Sequence, residues 1–73
     1  MVEAYQEGTE IEWDWGSGTA SGKVVEVFYD DVTRTLKGSE VKRKASRDDP
    51  AYLIEQADGD QVLKGHSEIR KAS

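Results

Sequence analysis

Two sets of side chains in this chain are of types that do chemistry. The first is aromatic and acidic: Trp13, Trp15, Phe28, Tyr29 and Tyr52, with Asp14 and Asp49 as candidate carboxylates. Ring faces and a carboxylate gathered around one opening attract a cation, through the ring quadrupole and the negative charge together. The second is cationic: Lys42, Arg43 and Lys44 in succession, then Arg47. Such a run meets the phosphates of a nucleic acid when aromatics stand nearby to stack on bases.

Other chemistries lack parts. With one His and no Cys, the chain has too few ligands for a structural zinc site. Asp58–Gly59–Asp60 lacks the further acidic ligands of a calcium loop and reads as a turn. Gly16–Gly22 carries three glycines, as a phosphate cradle would. It runs through Gly22–Lys23–Val24 into β-branched residues, not into the Gly-Lys-Ser/Thr ending and helix of a P-loop. A general-acid pair needs two carboxylates in different surroundings around a cleft, and so small a chain has little room for one. His66, beside Ser67, is read as an exposed or end-capping histidine. We expect no metal, no cofactor and no catalysis.

The charge balance weighs the two candidate sites against each other. Lysine and arginine number 10, aspartate and glutamate 15, and the net charge is −5. An excess of carboxylates opposes broad phosphate binding. The basic run is also followed at once by Asp48–Asp49. Its simpler reading is a solvated strand whose lysines face Glu10, Glu12 and Asp14. A protein or peptide is therefore the expected partner, and nucleic acid the disfavoured alternative. For Trp13, Phe28 and Tyr52 the competing role is the core. A buried Trp removes about 150–250 Å² from water, which a domain this small can hardly forgo.

These side chains must be positioned by short strands. Glu10–Trp15 alternates strictly, with Ile11, Trp13 and Trp15 on one face and three carboxylates on the other, the period of a half-buried strand. Gly16–Gly22 reads as a flexible hairpin connection. Lys23–Tyr29 is the expected hub, one long bent strand pairing with several others. Apolar residues on both of its faces point to a bulge or a strong coil. Asp30–Asp31 is a turn signal and Gly38–Ser39 a second, leaving 32–36 as a short strand or an extended excursion. Ser39–Ala45 is a strand with Val41, Arg43 and Ala45 on one face. Ala51–Gln56, entered through Pro50, and Gln61–Lys64 make a hairpin around Asp58–Gly59–Asp60. One helical turn is expected near Ser67, with Ile69 plugging the end of the fold.

This pattern predicts an all-β domain over residues 1–73, a small barrel of about five antiparallel strands, with 1–9 a frayed start. The first residues lack the basic and apolar regions of a signal peptide, and no apolar run nears the 18 or so residues of a membrane helix. Together with the absence of cysteine this suggests a soluble, cytoplasmic protein without membrane contact.

Ile11–Glu12–Trp13, Gly18–Thr19–Ala20–Ser21–Gly22–Lys23–Val24 and, most specifically, Lys44–Ala45–Ser46–Arg47–Asp48–Asp49–Pro50–Ala51–Tyr52–Leu53–Ile54 resemble the hypervirulence-associated protein TUDOR-domain family. These are small bacterial and fungal domains with no established biochemical role, and the resemblance runs over about residues 10–69. It implies a Tudor-like, Src-homology-three-like barrel and a His near the final strand, matched by Gly65–His66. Tudor-like barrels that read methylated lysine or arginine set two to four aromatics and a carboxylate at one barrel end. The expected surface on this chain is Trp15, Tyr29, Tyr52 and Asp49, and the alternative nucleic-acid surface is Lys42, Arg43, Lys44 and Arg47.

Overall fold

A computed structural model describes residues 3–72. Strands β1 (Glu10–Trp15) and β2 (Gly18–Phe28) form the first hairpin, closed by the two residues Gly16–Ser17 with Gly16 at φ +55°. A positive φ at the first central position only is the arrangement of a type II′ turn, which suits the natural strand twist. The expected seven-residue connection is thus a two-residue turn, and Gly18–Gly22 belongs to the strand. The small residues are there for packing. Ala20 lies opposite the buried Trp13, and Gly22 opposite the buried Ile11. A Cβ at Gly22 would stand 2.6 Å from the Glu55 carbonyl oxygen and 2.7 Å from Ile54 Cγ2. Only glycine lets the two strands approach this closely.

β2 is the hub the sequence suggests, displaced toward its N-terminus. Its first half pairs with β1 and its second with β5 (Ala51–Glu55), with Lys23 shared between the two ladders. The predicted bulge is present. Val24 pairs with Ile54 and Glu26 with Leu53, so Val25 is the extra residue, and it is exposed. β6 (Gln61–Gly65) pairs with β5 across a loop in which Gln56 N–H bonds to Asp60 O and Gly59 N–H to Gln56 O. After the 3₁₀ turn His66–Glu68, β7 (Arg70–Lys71) returns beside β1. The resulting sheet has the order β6-β5-β2-β1-β7.

β3 (Val32–Leu36) and β4 (Ser39–Arg43) form a separate two-stranded sheet. Lys37 and Gly38, at φ 53° and 76°, make a turn with both central residues left-handed, as in type I′. The all-β, antiparallel expectation holds; among the described residues the strands number seven where about five were expected, in two sheets whose ladders do not close. The physical reason is local. The tight turn folds β3 straight back on β4, so each strand has the other as its ladder partner, and the hairpin meets the larger sheet through side chains.

Each face of the larger sheet has its own core. One holds Ile11, Trp13, Val24, Tyr52, Ile54 and Ile69; the other, under the β3–β4 hairpin, holds Val32, Ala51, Leu53 and Leu63. β5 feeds both by alternation, which is why its first four residues are all buried. Each large side chain so buried contributes about 1.5–3 kcal/mol. Residues 4–9, expected to fray, lie against this sheet. Ala4 and Tyr5 pack on the first core, Gly8 N–H bonds to Val24 O at 2.7 Å, and Val24 N–H bonds to Thr9 O at 3.0 Å.

Candidate functional site

The aromatic and acidic side chains that do converge meet at the end of the sheet where β2 stops and β5 begins. Val27 pairs with Tyr52 and Phe28 with Ala51, and Tyr29 follows directly at the end of β2, near Tyr52. Tyr52 is fully buried and supplies the floor. Its hydroxyl accepts the Tyr5 N–H at 3.1 Å and lies 2.7 Å from His66 Nδ1. The hydroxyl has one proton to donate and a second lone pair to accept with, so it can serve Nδ1 in either tautomer of His66. Tyr5 stacks on His66 with centroids 5.1 Å apart and tilts against Tyr52 at 5.7 Å.

Backbone contacts fix this cluster. His66 N–H donates to Pro50 O at 2.8 Å, and Ser67 N–H donates to Asp49 Oδ1 at 3.3 Å. Asp49 is itself held by its own N–H bonding to Ser46 Oγ at 3.2 Å. Its carboxylate is exposed, as is Tyr29 at 46 %, and both act on the phenol of Tyr52. Burial pushes the phenol of Tyr52 up, and the nearby Tyr29, Tyr5 and Asp49 add to that shift, against the opposing hydrogen bond from Tyr5 N–H. The end of the sheet thus presents one exposed phenol and one carboxylate above three rings locked by packing and hydrogen bonds.

Of the expected surface, Tyr29 and Asp49 each lie near Tyr52. Tyr52 joins them from below, with no ring face open to solvent. Trp15 does not join. It is 72 % exposed at the tip of the first hairpin, with the eleven residues of β2 between it and Tyr29. Tyr5 and His66 complete the cluster and were missed as site residues. Tyr5 sits in an acidic stretch without periodicity, and nothing local to it announces a partner 47 residues away.

The cationic run is dispersed. Lys42 and Lys44 project outward while Arg43 turns inward to Glu68, and Lys42 lies 3.7 Å from Glu40. Among the described residues no ion pair involves Lys44 or Arg47. The acidic face of β1 takes its cation from elsewhere than Lys42 and Lys44. Arg70 of β7 reaches Glu12 Oε1 and Asp14 Oδ1, both at 3.0 Å. Among the described residues no three acidic or histidine side chains gather as a metal ion would require, and no helix is long and apolar enough to cross a membrane.

Residues 8–69 match the family described as the hypervirulence associated proteins TUDOR domain. No curated protein and no solved structure matches the chain. With the match extending over most of its 73 residues, the chain belongs to this TUDOR-domain family.

Proposed function

We propose that this family member is a non-catalytic binding module that engages a protein segment at the aromatic end of its sheet. The observation that carries the reading is the exposure of Tyr29 and Asp49, each near Tyr52, over a floor of Tyr5, Tyr52 and His66 that is already ordered. Pre-ordered rings reduce the entropy lost on binding. An exposed phenol and an exposed carboxylate at one end of the sheet favour a cationic side chain, so the segment sought carries an arginine or lysine, free or methylated. Trp15 serves this reading only as a second contact, for a partner long enough to reach along β2.

Titrating the isotope-labelled chain with short arginine and lysine peptides, methylated and unmodified, tests the proposal. Amide shifts are expected at Tyr29, Asp49 and His66, and Tyr29→Ala or Asp49→Asn is expected to weaken binding about tenfold or more. The nucleic-acid reading, through Lys42, Arg43, Lys44 and Arg47, is disfavoured because two of the four cations are already paired within the chain. Micromolar binding of a generic RNA or DNA probe, fading steeply with salt and shifting Lys44 and Arg47 instead, would reverse the order.

A further inference from the structure

A second surface lies at the other half of β2. Trp15 and Gly18 flank a two-residue turn, so they exchange backbone hydrogen bonds, and Trp13–Ala20 and Ile11–Gly22 follow in the same phase. The far side of β1 obeys that phase, since Ala72 N–H reaches Glu10 O at 3.0 Å. Val24 obeys it too, pairing with Gly8 and Thr9 on the β1 side. The alternate residues Thr19 and Ser21 therefore aim their N–H and C=O groups away from β1. β5 covers that edge only from Lys23 onward, because Lys23 pairs with Glu55 and the chain then turns off at Gln56. Thr19 and Ser21 have no strand partner on this side among the described residues.

The space beside Ser21, at the inner end of this bare edge, is a groove of about 450 Å³, lined by Glu10, Ser21, Gly22, Lys23, Glu55 and Gln56 among others. Natural edge strands are blunted by charge, proline or a bulge. Gly18–Thr19–Ala20–Ser21–Gly22 has none of these. The charges around it select the occupant. Glu10, Lys23 and Glu55 lie in one row across three strands, with one carboxylate in excess. The chain as a whole carries −5, so a second copy is repelled and a cationic chain attracted.

We propose that the edge at Thr19 and Ser21 is a strand-addition site for an extended cationic segment of a partner protein, distinct from the aromatic end. Main-chain hydrogen bonds supply the affinity, and the small side chains of β2 leave the backbone accessible. The probe is a short peptide of alternating lysine and threonine, added to the full chain. Amide exchange of Thr19 and Ser21 is expected to slow about tenfold or more on binding. Thr19→Pro removes an N–H that points off the edge of β2, not into the β1 ladder, and is expected to abolish binding in a folded protein. The same peptide N-methylated at alternate backbone positions tests the unaltered protein and is expected not to bind, nor is its glutamate counterpart. Equal binding of either control, or shifts confined to Tyr29 and Asp49, would overturn the proposal. So would a free chain that sediments at neutral pH as a dimer with Thr19 and Ser21 already protected.

Discussion

At the scale of single residues, Tyr52 and Gly22 are where chemistry and packing are least tolerant. Tyr52→Phe keeps the ring but leaves the Tyr5 N–H and His66 Nδ1 without their partner. Losing a buried hydrogen-bond partner costs about 1–3 kcal/mol, which urea unfolding would read as a lower midpoint at unchanged slope. The hydroxyl also makes stability depend on pH. Burial holds the phenol above the ordinary tyrosine value of 10.0, so the folded chain keeps that proton more tightly than the unfolded one. The associated stability is whole below about pH 10 and is lost as pH climbs through the raised value. Tyr52→Phe should therefore flatten the alkaline fall in stability and delete the latest phase of phenolate absorbance. If the two proteins titrate alike, the hydroxyl is not the buried group described here. At Gly22, even alanine places a carbon against the Glu55 carbonyl, and a cost of about 1–3 kcal/mol is expected for Gly22→Ala in the same assay.

At the scale of elements, the β3–β4 hairpin is the least integrated part of the fold. It shares no ladder with the larger sheet and rests on Val32, Leu36 and Val41 over Ala51, Leu53 and Leu63. Its rim is fastened by Arg34 to Glu26, Lys37 to Asp60 at 2.6 Å, and Arg43 to Glu68. Exposed ion pairs of this kind are weak and salt-screened, so the apolar underside carries the attachment. Native-state hydrogen exchange should find the amides of β3 and β4 opening at lower free energy than those of β2 and β5. Leu53→Ala should cost about 2–5 kcal/mol and widen that gap; a single uniform opening energy would contradict the division. This hairpin also shows what a sequence conveys. Strict alternation in Glu10–Trp15 announced β1, and two-sided hydrophobicity announced the bulge at Val25, because both depend on local period. Gly18–Gly22 passed for a loop because the need for small residues there comes from Trp13 and β5, strands away. The same distance hid Tyr5 and His66, whose roles exist only once Tyr52 stands between them. Lys37 in a left-handed turn ran against residue preference, and so moved the predicted turn along by one residue.

At the scale of the whole molecule, charge and edge act against each other. A small sheet with a bare, uncharged stretch at Thr19 and Ser21 has the backbone geometry to pair with itself. At neutral pH the charge of −5 on each copy opposes that pairing. Protonating the carboxylates removes the opposition, and the chain nears neutrality at about pH 4.7. Sedimentation velocity should accordingly show a monomer at pH 7 and a growing dimer as pH approaches 4.7, and raising the salt at pH 7 should move the equilibrium the same way. General loss of solubility near neutrality would be indifferent to one edge residue, so the comparison that decides is with Thr19→Pro. That variant has the same charge at every pH and lacks one outward N–H. It should remain monomeric where the parent chain dimerises. If it associates equally, the contact lies elsewhere and the bare edge is not what the charge restrains.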